Sequence, residues 1–170
     1  MSHDCDHHAE HEHHGLKGPA LARALDAAEG RCAATQARLT APRRRVLELL
    51  LSADAPLKAY DLIAAYGGRG EPAKPPTVYR ALEFLERLGF AHRIESLNAY
   101  VGCADPSHPH SGQFLICQCC RAVAELDDAA IAAAIEARAR AAGFRCDSQT
   151  VEVRGQCPRC AAAGADTAHP

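Results

Sequence analysis

Lys74-Pro75-Pro76-Thr77-Val78-Tyr79-Arg80-Ala81-Leu82 decides how most of this 170-residue chain is read. The paired prolines suit a first helical turn, where a fixed φ is an advantage and a missing N–H costs nothing. Beyond them Val78, Leu82, Leu85 and Gly89 follow a helical stripe, with Ala81 and Leu88 beside it, and Tyr79, Arg80, Glu83 and Arg87 take the outer face. Thr, Tyr and Arg on an exposed N-terminal turn suit a DNA major groove: the guanidinium faces guanine edges, the others phosphate or thymine methyls.

Towards the N-terminus the same periodicity predicts three more helices. Leu21, Ala24, Leu25, Ala28 and Cys32 mark one from Pro19 to about Gln36, and Thr40-Ala41-Pro42 opens a second that runs to Ala53 before Asp54-Ala55-Pro56. A third spans Ala59 to Tyr66 and ends at Gly67-Gly68 and Gly70. Towards the C-terminus, Phe90–Glu95 and Ala99–Cys103 flank Ser96-Leu97-Asn98 and read as a hairpin, so this part is a winged helix. Asp105–Gly112, with Pro106, His108, Pro109 and His110, reads as a linker. Gln113–Ile116 and Ala122–Leu126 then read as strands, Ala129–Ala142 as a helix, and Phe144–Val153 as a third strand. The fold class is α+β, an N-terminal winged helix-turn-helix domain followed by a small α/β domain. The expected divisions are a disordered His-rich tail (1–15), the winged helix (16–104), a hinge (105–112), the second domain (113–160) and a flexible tail (161–170).

Cys117-Gln118-Cys119-Cys120 and Cys157-Pro158-Arg159-Cys160 form two Cys-x-x-Cys pairs enclosing residues 121–156. Four thiolates on one tetrahedral centre are the closed coordination of structural zinc, and such a metal would staple the domain. Two disulfides or redox dithiols are the rival reading. Nine cysteines without an apolar export signal argue for reduced thiols, and an odd count excludes complete internal pairing. No apolar run is long enough for a membrane span, so a cytoplasmic protein is expected.

The net charge of −2 conceals an uneven distribution. Asp4, Asp6, Glu10 and Glu12 make residues 1–14 acidic, whereas residues 15–111 hold 13 Lys/Arg against 10 Asp/Glu. Arg31, Arg38, Arg43, Arg44 and Arg45 occupy a window without an acid, and read either as a phosphate-attracting patch or as a solvated helix face. His3, His7, His8, His11, His13 and His14, with Cys5, bias the N-terminus too strongly to bury a core. It either holds and passes on zinc or is a mobile polar tail with incidental metal affinity.

The Lys74–Leu82 motif, the wing and the paired cysteines together resemble the Fur family of bacterial metalloregulators, over about Leu16 to Cys160, and most closely its zinc-uptake subgroup, Zur. The resemblance implies a homodimer with an N-terminal DNA-binding domain, a hinge and a C-terminal dimerisation domain, closed by metal onto a palindromic, AT-rich double-stranded operator. It implies two Zn2+ per subunit. Structural zinc would be held by Cys117, Cys120, Cys157 and Cys160, with Cys119 a bystander. Matching the subgroup residue by residue places the regulatory zinc on His92, Cys103, His110 and Glu125, with His108 a competitor for the linker position. One thiolate, two imidazoles and one carboxylate suit zinc better than iron or manganese. Tyr60 and Arg80 match base-reading positions, and Thr77 and Tyr79 are expected on phosphate. Where enterobacterial members pair an Asp and an Arg between neighbouring dimers, this chain has Ala64 and Gly67.

The function expected is zinc-responsive repression of zinc uptake genes. The alternatives are an iron or peroxide sensor of the same family, or a zinc buffer or chaperone without operator binding; the clustered His-His-x-His of the iron type is absent from the linker. A zinc hydrolase or deaminase is disfavoured. His8-Ala9-Glu10 matches a deaminase signature but lies in the polar tail, and four candidate ligands leave no open position. Neither a small-molecule substrate nor a membrane partner is expected.

Overall fold

The structure, a computed structural model, describes residues 15–67, 74–103, 112–126, 128–147 and 149–164, and the backbone of 11–12. Two units emerge: residues 14–111, and residues 112–170 together with 1–13.

In the first unit α1 (Gly18–Ala34), α2 (Ala41–Ser52) and α4 (Pro75–Arg87) each carry proline in the opening turn, and α3 (Ala59–Tyr66) opens with the Lys58 N–H donating to the Asp61 carboxylate at 3.2 Å. Val78, Ala81, Leu82, Phe84 and Leu85 of α4 pack into one core with Val46, Leu47, Leu50 and Leu51 of α2, Ala24, Leu25, Ala28 and Cys32 of α1, and Leu62 of α3. Each large side chain buried there contributes about 1.5–3 kcal/mol of transfer free energy. Phe84 lies off the stripe read from the sequence. Its ring is covered by the Arg43 guanidinium at 3.6 Å and approached by Arg87 at 5.7 Å, which lets an aromatic at the edge of the apolar face be buried.

Gly89 ends α4 rather than continuing its stripe, because it adopts φ of +72° and turns the chain into the wing. The wing is β2 (Ala91–Ile94), a 3-10 turn at Glu95–Leu97, Asn98 in the left-handed conformation, and antiparallel β3 (Ala99–Gly102). Leu57 extends the pairing, donating its N–H to the Tyr100 carbonyl at 2.9 Å and accepting from the Tyr100 N–H at 2.8 Å. A Cβ on Gly102 would stand 2.9 Å from the Leu51 nitrogen and 3.1 Å from the Leu50 carbonyl carbon, so glycine allows β3 to lie directly on α2.

The second unit contains β4 (Gly112–Cys117), β5 (Val123–Leu126), α5 (Ala129–Ala141), β6 (Thr150–Gly155) and α6 (Pro158–Ala162). A fourth strand, β1, comes from His11–Glu12, and the sheet order is β1-β5-β4-β6. β5 returns antiparallel to β4, while β6 lies parallel to it after the α5 crossover, as a parallel connection requires. The Asp128 carboxylate caps α5 by accepting the Ala130 and Ile131 N–H groups at 2.7 and 3.4 Å.

Two expectations need correction here. The last strand begins at Thr150, not Phe144, because Gly143 (φ +75°) and Phe144, whose N–H donates to the Ala139 carbonyl at 2.9 Å, are used to close α5. Pro158 opens a short helix that the sequence reading did not assign. Within the expected tail, the backbone of His11–Glu12 pairs with β5 and the Gly15 N–H donates to Asp54 at 3.1 Å; residues 1–10 and 13–14 lie outside the described residues.

Candidate metal centres and DNA-facing surface

Parallel pairing of β4 with β6 brings the two cysteine pairs together. Cys117 is in register with Gly155, and the Gln118 N–H donates to the Gly155 carbonyl at 2.8 Å, so Cys157 arrives beside the first turn. The sulfur atoms of Cys117, Cys120, Cys157 and Cys160 all lie within 4.8 Å of one another, and Cys120 and Cys157 are 3.8 Å apart. A tetrahedral centre with metal–sulfur bonds of about 2.3 Å requires sulfur–sulfur separations of about 3.8 Å, whereas a disulfide requires about 2 Å. The quartet therefore fits zinc, and no described cysteine is joined in a disulfide.

The surroundings favour thiolate at Cys117 and Cys120 and the protonated thiol at Cys160. Backbone N–H groups of Cys120 and Cys157 hold the Cys117 thiol down to about 6, the Ala122 N–H lowers Cys120, and Cys157 and Cys120 side chains raise Cys160. The Cys157 N–H lies 3.4 Å from the Cys117 sulfur. Sequence reasoning missed the residues that surround the quartet. Arg159 donates to the Cys120 sulfur at 3.9 Å, offsetting the negative charge that four thiolates leave around a divalent ion. Gln156 donates to Cys119 at 3.5 Å, and Cys119 lies outside the quartet. The available signal was position: Arg159 sits inside the Cys-x-x-Cys turn itself.

The wing supplies a second donor pair. His92 is paired with Val101, and the Cys103 N–H bonds the Phe90 carbonyl at 3.0 Å, so the two-residue pleat puts His92 and Cys103 on one face as diagonal neighbours. Their ligand atoms lie within 4.8 Å of each other, with Cys103 buried and His92 half-buried. A soft sulfur beside an imidazole matches the zinc preference. Glu125 is a half-buried member of β5 in the other unit. His108 and His110 lie outside the described residues.

Tyr60 on α3, and Thr77, Tyr79 and Arg80 in the first turns of α4, remain at the surface of the winged unit; Tyr60 is 65% and Tyr79 49% exposed. Most of the arginine window has local partners. Arg31 approaches the Phe90 ring at 5.5 Å, Arg43 covers Phe84 and donates to the Arg38 carbonyl at 2.6 Å, Arg44 lies 4.0 Å from Asp26, and Arg45 bonds Glu48 at 2.8 Å. The patch thus serves the fold of the winged unit first.

A winged helix followed by a small unit whose four thiols converge at metal-binding distance is the arrangement of a metal-binding, DNA-binding class of protein. Residues 34–154 match the model of the ferric uptake regulator family, and the chain belongs to that family. It is 39% identical over 137 residues to the zinc uptake regulation protein of Escherichia coli (strain K12), an alignment covering 80% of both chains, and equally to that of Shigella flexneri. Among solved structures, that of holo XcZur is 45% identical with a TM-score of 0.75, covering 81% of this chain and 96% of that one. A zinc uptake regulator complexed with zinc and DNA is 36% identical with a TM-score of 0.79, covering 88% of this chain and 100% of that one.

Proposed function

We propose that this chain is a zinc-responsive DNA-binding repressor of zinc uptake genes, acting in the cytoplasm as a homodimer. The likeness to the zinc uptake regulator complexed with zinc and DNA, which extends over the whole of that chain, carries this reading. Cys117, Cys120, Cys157 and Cys160 hold structural zinc. His92, Cys103, His110 and Glu125 hold a second, regulatory zinc, giving two per subunit. Tyr60 and Arg80 read bases of a palindromic, AT-rich operator, while Thr77 and Tyr79 grip phosphate.

Zinc, when bound, supplies a cross-link among these regulatory donors. His92 and Cys103 belong to the wing, and Glu125 to the strand after the linker. A coordination sphere needing both parts restricts the linker to arrangements that suit paired operator half-sites, so the bound state is favoured by a differential interaction. Neither four-donor set leaves an open position for a substrate, which supports a regulatory rather than catalytic role. No helix among the described residues is long and apolar enough to cross a membrane.

The single chain also supports a homodimer. None of the residues of α5 is buried, and Ile135 (37%), Phe144 (69%) and Val153 (50%) expose apolar surface. The deciding experiment is an operator gel shift across buffered free zinc, iron and manganese. Zinc is expected to raise affinity at the lowest free concentration. Affinity that tracks iron or manganese instead, or that ignores all three, overturns the proposal.

A further inference from the structure

Tyr100 is the point at which the wing meets both helices that carry the DNA-facing residues. Its N–H and carbonyl exchange two bonds with Leu57, at 2.8 and 2.9 Å, the hydrogen-bonded kind of antiparallel pair. Leu57 immediately precedes Lys58, the cap of α3, and stands three positions before Tyr60, so this pair fixes where α3 starts. The Tyr100 side chain is buried in the core that also holds Val78, Ala81, Leu82 and Leu85 of α4. Burial raises its phenol above the ordinary range and Glu86 raises it further; Arg93 opposes them, and Tyr79 and Glu95 add to the rise. Tyr79 and Glu86, two turns apart, share one face of α4, so that face is turned to the wing. Opposite Tyr100 in the wing is Arg93, itself held by Asn98 at 3.2 Å and Glu95 at 3.2 Å.

We propose that Tyr100 is a positioning residue for operator recognition: its main chain sets the origin of α3 and its ring sets the rotation of α4, so Tyr60 and Arg80 are presented in a fixed relation. This rests on the reading of those two residues as base contacts and extends it to the residue that aligns them. The template is firm, because β3 is buried at all four positions and Gly102 lets it lie directly on α2. Hydrogen bonds to base edges weaken steeply with misalignment, whereas phosphates attract cations whatever the sequence. Helices that lose their mutual alignment therefore lose sequence discrimination before they lose affinity for DNA in general.

The test uses the full zinc-loaded chain and two duplexes: the one its parent form selects from a randomised library, and a scrambled version of that duplex. The readout is the ratio of the two affinities, taken at a temperature where circular dichroism shows the variants folded. Tyr100→Ala, and the less disruptive Tyr100→Leu, should weaken the selected duplex about tenfold, the scale of one lost base contact, with the scrambled duplex within about twofold of the parent. Tyr100→Phe keeps the ring and the bonds to Leu57 and should match the parent. Leu25→Ala opens the same core from α1 and should leave the ratio unchanged. An unchanged ratio in Tyr100→Leu, an equal fall on both duplexes, a fall in Tyr100→Phe, or a shift as large in Leu25→Ala overturns the positioning role alone. Retention of the parent ratio when Tyr60 and Arg80 are both replaced by alanine sinks the base-contact reading, and this proposal with it.

Discussion

Replacing Cys117 by serine tests the staple most directly. Cys117 is buried at the end of β4, the strand that pairs with both β5 and β6, and its partner Cys157 is 40 positions away. Cross-linking a chain across roughly 40 residues removes unfolded-state entropy worth about 4 kcal/mol at room temperature. That is a floor, because apparent binding energies of structural zinc are about 10–16 kcal/mol and appear as folding energy. Against a total stability of about 5–15 kcal/mol, a loss of 4 or more removes at least about a quarter, and at the lower end most, of what holds the second unit together. Cys117→Ser should therefore lose one zinc per chain and lower that unit's melting midpoint by roughly 15 °C or more. Metal analysis, calorimetry and sedimentation check this, with Cys119→Ser, outside the quartet, expected within about 0.5 kcal/mol of the parent. If Cys117→Ser melts and dimerises like the parent, or Cys119→Ser matches its defect, the staple is wrongly assigned.

Four further outcomes are expected. Cys103→Ser should keep the fold yet lose zinc-dependent operator binding in a gel shift; a full zinc response would remove Cys103 from the sensor. Arg80→Ala should weaken operator binding by about 1–3 kcal/mol, roughly five- to 150-fold, without moving the melting midpoint, and an unchanged dissociation constant would place base reading elsewhere. Gly102→Val would force a side chain against Leu51 and cost about 1–3 kcal/mol in urea denaturation, whereas parent-like stability would show that β3 can lift from α2. Arg43→Ala uncovers Phe84 and should cost about 1 kcal/mol of winged-unit stability; weakened DNA binding at unchanged stability would return Arg43 to the phosphate patch.

The sequence by itself determined what depends on near neighbours. Prolines in the first turns of α2 and α4, the three- and four-residue spacing of buried leucines, the breaks at Asp54-Ala55-Pro56 and Ser96-Leu97-Asn98, and the two Cys-x-x-Cys turns all act within a few residues. Pro158 is the same kind of local signal for α6. Tertiary structure decided what depends on register between distant segments. The parallel pairing of β4 with β6 converts two cysteine pairs into one cage, and the diagonal across the wing brings His92 to Cys103. The stack of Arg43 on Phe84 makes an arginine of the basic window the cover of a buried ring, and β1 pairs the His11 position with Glu125. A one-residue slip in any of these ladders would reverse the faces while leaving local propensities almost unchanged. Only the packed chain, by burying one face and not the other, selects among them.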